Sequence, residues 1–183
     1  IQDCIVRFFD KKQDEKIFGA FRLGTILDYN MRNDTAAGKF ITKALAGDDI
    51  TPYKHSMNKP MFFVSMNDVC KSFKSFIDYI LTKDKKNIGD VDHIFNLAYP
   101  TPVKIIDLAN LIIDSVKKNS NGKILPKLSI VDLGIEETDS QIVEKSAQID
   151  ISKINEYLNI SSLTKPEDVI DQIIRSRLDK SDE

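Results

Sequence analysis

Apolar positions along the chain fall into two spacings, short unbroken runs and stripes at helical period, and their alternation predicts an α/β fold. Ile17, Phe18, Ala20, Phe21 and Leu23 form a run too short for a globular helix, so it is read as a strand. Gly24 and Thr25 interrupt the run. The polar positions Asp28, Asn30, Arg32, Asn33 and Asp34 then predict a loop before a helix opening near Thr35. A buried strand emptying into a polar loop and then a helix is the unit that sets ligands at the carboxyl edge of a parallel sheet.

Before this unit, Ile1, Ile5, Phe8 and Phe9 share one helical face, and the charged run 10–16 reads as a solvated turn. After it, Ala37, Phe40, Ile41, Ala44 and Leu45 form a helical stripe, with Asn33 or Asp34 as N-cap and Gly47 as its stop. Residues 51–53 read as extended and 55–60 as a polar loop. A strand at 61–64 leads, through a Ser65 or Asn67 cap, into a helix whose Val69, Phe73, Phe76, Ile77, Ile80 and Leu81 have core spacing. Residues 83–92 read as a charged loop and 94–98 as a strand. Thr101 and Pro102 are expected to open a helix carrying Ile105, Leu108, Ala109, Leu111, Ile112 and Val116 inward. A further strand within 124–133, an acidic loop from 135 to 148 and a short helix at 152–158 follow. The last helix is expected to start with a capping box, Thr164 to Glu167, and to bury Val169, Ile170, Ile173, Ile174 and Leu178.

Composition narrows the function classes. With 183 residues, 42% hydrophobic and 30% charged, the chain has the make-up of one ordinary globular domain. A net charge of −2 with dispersed basic residues gives no electrostatic case for nucleic acid. No apolar run has the length of a membrane span, and the amino end reads as neither signal nor transit peptide. Cys4 and Cys70 follow no pattern, the usage of a reducing compartment, so the cytoplasm is expected. His55 and His93 lie far apart without carboxylate or cysteine at ligand spacing, so both read as surface residues and no metal site is expected. Glu136, Glu137 and Asp139 read as a solvated acidic loop. Tyr79 and Lys83 spell Tyr-x-x-x-Lys, a spacing that arises readily by chance in a lysine-rich chain.

Three blocks in register carry a resemblance. Phe21-Arg22-Leu23-Gly24-Thr25-Ile26 resembles the strand and loop of the extended short-chain dehydrogenase/reductase family, the NAD-dependent nucleotide-sugar epimerases and dehydratases. Lys39 to Gly47 followed by Ile50-Thr51-Pro52-Tyr53, and Phe63-Val64-Ser65-Met66-Asn67-Asp68-Val69, are similar to the family in the same order and spacing. Phe95-Asn96-Leu97 extends the likeness toward Leu178. The resemblance implies the C-terminal strands of a Rossmann-like parallel sheet plus a small α/β substrate-binding lobe. The chain is then a single partial domain over 1–183: residues 1–34 hold the end of the catalytic helix, a sheet strand and the ligand loop, and 35–183 mostly the lobe with returning strands. Its seven glycines are scattered, with no Gly-rich pyrophosphate turn, so the N-terminal dinucleotide-binding half is read as absent. The family's catalytic Tyr-x-x-x-Lys precedes the strand at Ile17, and residues 1–9 resemble the remaining end of that helix. No catalytic residue is therefore assigned, and the 183 residues alone are expected to be catalytically silent.

By position, the resemblance sets Leu23 and Gly24 near NAD or NADP and Thr25 where many members carry a substrate-touching asparagine. Thr51 and Tyr53 fall in the segment lining the nucleotide base, where an aromatic ring clamps a flat ligand. The family arginine that pairs with the substrate diphosphate is replaced by Met61, and Lys59 is the nearest cation. Lys145 falls at a second basic substrate contact, and Asp68 at a structural aspartate. The implied partners are a nucleotide-sugar substrate and a second copy of the chain, docked through the helix that residues 1–9 end. Two other readings stand beside this one: a family reductase or dehydrogenase acting on a non-nucleotide carbonyl substrate, and a non-catalytic module binding a nucleotide or a partner.

Overall fold

The computed structural model of the chain describes residues 2–12, 17–82, 92–136 and 148–180. Strand β1, Ala20–Leu23, runs parallel to a strand far along the chain, Ile94–Leu97, with Ala20 opposite Ile94 and Leu23 opposite Leu97. At Gly24 the chain changes neighbours. Gly24 still donates its N–H to Leu97 O at 3.0 Å, whereas Thr25 donates to Phe62 O at 2.7 Å. Thr25–Leu27 is therefore a strand, β2, parallel to Phe63–Ser65, and not the loop that the glycine and the polar tail predict. Its β-branched Thr25 and Ile26 suit an extended backbone, and Leu27 is buried at the strand end.

The remaining elements follow from similar balances of local and long-range pairing. Helix α1 spans Gln2–Lys12 and α2 spans Ala36–Leu45. The α2 cap is Thr35, whose hydroxyl accepts the Gly38 N–H at 3.1 Å, rather than Asn33 or Asp34. Gly47, at φ +79°, ends the helix as its sequence position indicates. Two short strands, β3 (Pro60–Met61) and β6 (Val103–Lys104), pair antiparallel; β4 is Phe63–Ser65 and β5 is Ile94–Leu97. Because Val103 and Lys104 are drawn into that pairing, the following helix α4 starts at Ile105, not at Pro102, and ends at Asn119. Helix α3, Met66–Thr82, is capped by Ser65, whose hydroxyl accepts the Asp68 N–H. Helices α5 (Ser152–Leu158) and α6 (Pro166–Asp179) lie where the periodicity puts them. The capping box before α6 does not form: Lys165 is the N-cap without a side-chain bond, Pro166 opens the helix, and the Thr164 N–H is taken by a distant carboxylate. Within 124–133 the extended backbone makes only two parallel bridges, Ile50 to Leu128 and Tyr53 to Val131.

Two apolar clusters hold these elements. The larger joins α2, α4 and α6 around Leu27, Ile50 and Phe63; the other joins Val64, Val69, Tyr79, Phe95 and Leu97 to Ile154, Leu158 and Leu163. The stripe assigned to the core on α3 is divided, since Val69 is buried and Phe76 and Ile80 are half-buried against the second cluster, while Phe73, Ile77 and Leu81 face outward. His93 is not a surface residue. It is buried, with Nδ1 2.8 Å from Asp10 Oδ2, and the same carboxylate accepts the Phe18 N–H at 2.9 Å. Asp10 thus belongs to α1 and to its anchorage, not to a solvated turn.

Candidate functional site

A cavity of about 570 Å³ opens between the outer face of α2 and segment 51–56, whose last three residues, Lys54–Ser56, form a 3-10 turn. Its size falls within the roughly 300–1,000 Å³ of small-molecule sites. Phe40 and Ile105 supply apolar wall, and Asp34, Lys39, Lys43, Thr51, Tyr53 and Ser56 supply polar or aromatic groups. The segment is fixed from behind: the Lys54 N–H donates to Val131 O at 2.9 Å, the Val131 N–H to Pro52 O at 3.0 Å, and Lys54 Nζ pairs with Asp132 at 2.9 Å.

Thr51 and Tyr53, the two residues assigned to the base, are brought together in this cavity. Lys43 Nζ donates to Thr51 Oγ1 at 2.9 Å, which leaves the hydroxyl hydrogen of Thr51 free to point into the cavity. The half-exposed Tyr53 ring stacks on His55 at 5.8 Å with an 18° interplanar angle, and a flat, pre-set ring of this kind can cover a ligand face. His55 Nδ1 is buried without a hydrogen-bond partner among the described residues. Asp34 is bound by the Arg32 guanidinium, which holds its carboxyl below the ordinary 3.8, so the group is an anion already paired.

The other assigned residues lie apart from this lining. Leu23 is 41% exposed at the end of β1, and Gly24 is walled by Phe62 O and Ala98. Thr25 lies half-buried within β2, opposite Phe63. Lys59 is exposed and engages through its backbone, donating to Ser56 O and accepting the Ile105 N–H at 3.3 Å; it does not line the cavity. Met61 pairs with Val103. Lys145 lies outside the described residues, as do Glu137, Asp139 and Lys83. Tyr79, of the Tyr-x-x-x-Lys coincidence, is a core residue, and burial raises its phenol above the ordinary 10.0. Among the described residues no three histidine, cysteine or carboxylate side chains gather as metal ligands, and no helix is long and apolar enough to cross a membrane.

Sequence reasoning missed Lys39 and Lys43. Their spacing of four places them on one face of α2, but that face becomes a cavity wall only when segment 51–53 is laid against it. A second, smaller pocket of about 210 Å³ lies at the carboxyl ends of β2 and β4, with Leu27, Val169 and Ile173 lining it together with Asp28, Asn67, Gln172 and Ser176.

No family model and no curated protein matches the chain. Solved structures do. The dTDP-glucose 4,6-dehydratase of Bacillus anthracis, in complex with NAD, superposes with a TM-score of 0.68 at 15% identity, over 98% of this chain and 50% of that one. The UDP-N-acetylglucosamine 4-epimerase of Bacillus cereus gives 0.64 at 19% identity, over 94% and 49%. The UDP-glucuronic acid 4-epimerase of Bacillus cereus, in complex with UDP-glucuronic acid and NAD, gives 0.65 at 17%, over 96% and 50%. The chain thus spans about half the length of these structures. At such identities the likeness establishes the fold: a mixed α/β arrangement with short parallel strand pairs, matching the C-terminal half of Rossmann-like chains.

Proposed function

We propose that the chain is the substrate-binding C-terminal part of an NAD(P)-dependent nucleotide-sugar epimerase or dehydratase. The observation that carries this reading is the coincidence of Thr51 and Tyr53, assigned to the substrate base from the sequence, in one cavity of ligand size. The fold likeness to solved enzymes in complex with NAD, one of them with UDP-glucuronic acid as well, supports it. Tyr53 covers the base and Thr51 donates a hydrogen bond to it. Thr25 lies toward the sugar, and Lys145 is a further basic contact.

Bound NAD or NADP supplies the acceptor for a transiently removed hydride. The residues present suit its nicotinamide end. Leu23 offers an exposed apolar side chain at the mouth of a parallel strand, and Gly24 occupies a place where a Cβ would stand 2.8 Å from Phe62 O, so the backbone itself forms the surface. These residues pack and orient, and no proton-transferring group is assigned to the chain. In this reading the exposed face of α1, with Ile5, Phe8 and Phe9, is the homodimer contact.

Calorimetric titration of the purified chain with UDP-glucose and dTDP-glucose tests the reading. Binding is expected, weakened about tenfold by Tyr53→Ala and little changed by Tyr53→Phe, with no turnover of either sugar by the 183 residues. Absence of binding, or an affinity indifferent to Tyr53→Ala, overturns it. A second reading, reduction of a carbonyl compound without a nucleotide, is favoured by one observation: among the described residues no arginine lines the cavity, and Met61 occupies the place where the resemblance sets that cation. Binding of simple carbonyl compounds in preference to UDP-sugars selects it.

A further inference from the structure

Lys39 and Lys43 stand one helical turn apart on α2, and both line the 570 Å³ cavity. Like charges at this spacing repel, so the arrangement is unfavourable for an isolated helix unless an anion lies between them. Neither lysine forms an ion pair with a described residue. Lys43 donates to the neutral hydroxyl of Thr51, and Asp34, whose carboxylate feels Lys39 through space, is hydrogen-bonded and paired to Arg32. An ammonium carries three donors, so Lys43 retains two after its bond to Thr51. The same helix has no acidic residue in its first turn, and Ala36 of that turn also borders the cavity. The positive end of its dipole therefore adds to the field of the lysines.

We infer that Lys39 and Lys43 form a phosphoryl subsite in which two point charges from a helix face do the work of a guanidinium fork. The inference rests on the nucleotide-sugar reading and deepens it by naming the groups that hold the diphosphate. It also sets the subsite apart from Lys59, which the sequence places nearest in number and the structure leaves outside the cavity. Two flexible ammonium groups follow charge rather than planar geometry, so binding through them is strongly salt-dependent and tolerant of the phosphate's orientation.

The test is calorimetry on the full 183-residue chain with pyrophosphate, UDP and uridine, comparing wild type with the Lys39→Met/Lys43→Met pair and the Lys39→Arg/Lys43→Arg pair. Methionine keeps the apolar stem, and both positions lie on the open face of α2, so the fold is retained and circular dichroism checks it. The methionine pair is expected to weaken pyrophosphate and UDP roughly tenfold to a hundredfold, to leave uridine unchanged, and to be rescued by the arginine pair. UDP binding that survives the methionine pair overturns the subsite while leaving the nucleotide-sugar reading standing. Pyrophosphate held through the lysines without any binding of UDP keeps the subsite and removes that reading. Absence of both binding events in the wild type removes both.

Discussion

The carboxylate of Asp68 accepts the backbone N–H of Thr164 at 2.8 Å, across 96 residues of sequence. Asp68 is only 5% exposed, and its own backbone is engaged as well, N–H to Ser65 Oγ at 3.0 Å and C=O from the Ser72 hydroxyl at 2.7 Å. One side chain thus ties the start of α3 to the segment that enters α6, which is why the Thr164 capping box is not used. Asp68→Ala removes the acceptor and leaves a partly buried N–H without one. A loss of about 1.5–3 kcal/mol is expected in urea unfolding. Asp68→Asn keeps an acceptor oxygen and should cost less than Asp68→Ala; equal losses for the two would contradict the bond's role.

Gly24 sits where the chain passes from one parallel partner to the other. A Cβ there would stand 2.8 Å from Phe62 O and 2.9 Å from the Ala98 Cβ, with backbone on one side and a buried strand end on the other. Gly24→Ala must push β2 away from its neighbour, and a destabilisation of about 1–3 kcal/mol is expected. Gly134→Ala is the comparison: nothing lies within 4 Å of its Cβ, and only the positive φ of +68° opposes the side chain. Denaturant midpoints of the two variants should separate crowding from backbone strain, with the Gly24 variant also losing part of the parallel pairing seen by amide exchange.

Helices were legible wherever one face is buried along its whole length, as with Ala37, Phe40, Ile41 and Ala44 on α2 or Val169, Ile170, Ile173 and Ile174 on α6. Gly47 and Ser65 marked a helix stop and a helix start by local chemistry alone. What sequence spacing did not reveal is decided by partners far away. Thr25–Leu27 looks like a loop because Gly24 breaks the run, yet pairing with Phe63–Ser65 makes it a strand. Val103 and Lys104 look like a first helical turn, yet Pro60 and Met61 claim them. His93 and Asp10 show no mutual spacing at all, being 83 residues apart. The cavity divides in the same way. Thr51 and Tyr53 were found through blocks in register, whereas Lys39 and Lys43 acquire meaning only once α2 and segment 51–53 face each other.

Phe73, Ile77 and Leu81 repeat every four residues on α3, the spacing of a core stripe, but they are 46%, 50% and 77% exposed. Periodicity reports a shared face and not what covers it. Ile77→Lys and Leu81→Lys should therefore change the unfolding free energy of the monomer by no more than about 0.5 kcal/mol. Leu108→Ala, at a fully buried position of α4, should lose about 2–5 kcal/mol in the same assay. A large loss for Leu81→Lys would mean that this face is buried in solution, and sedimentation would then show association that the variant abolishes.

Asp171 on α6 is the point where α4 is pinned to it. Its Oδ1 accepts from Asn119 Nδ2 at 2.8 Å and from the Ser115 hydroxyl at 2.9 Å, and its Oδ2 accepts from Arg175 at 2.8 Å. The Asn119 bond is the main cause that holds the carboxyl below the ordinary 3.8, with Ser115 and Lys118 adding to it against the opposing effect of burial. A carboxyl lowered on folding stabilises the native state above its unfolded value, and that contribution disappears as pH falls through the folded value. Urea unfolding from neutral pH down through 3.8 should therefore show stability falling toward the acid side, more steeply in the wild type than in Asp171→Asn. The asparagine variant keeps an acceptor oxygen but has no proton to take up there. Asp3, Asp34, Asp132 and Asp150 are lowered too, but they occupy more open surface, where solvent screens their partners. Parallel pH profiles for the two proteins would place the acid sensitivity elsewhere and leave the α4–α6 contact dependent on apolar packing alone.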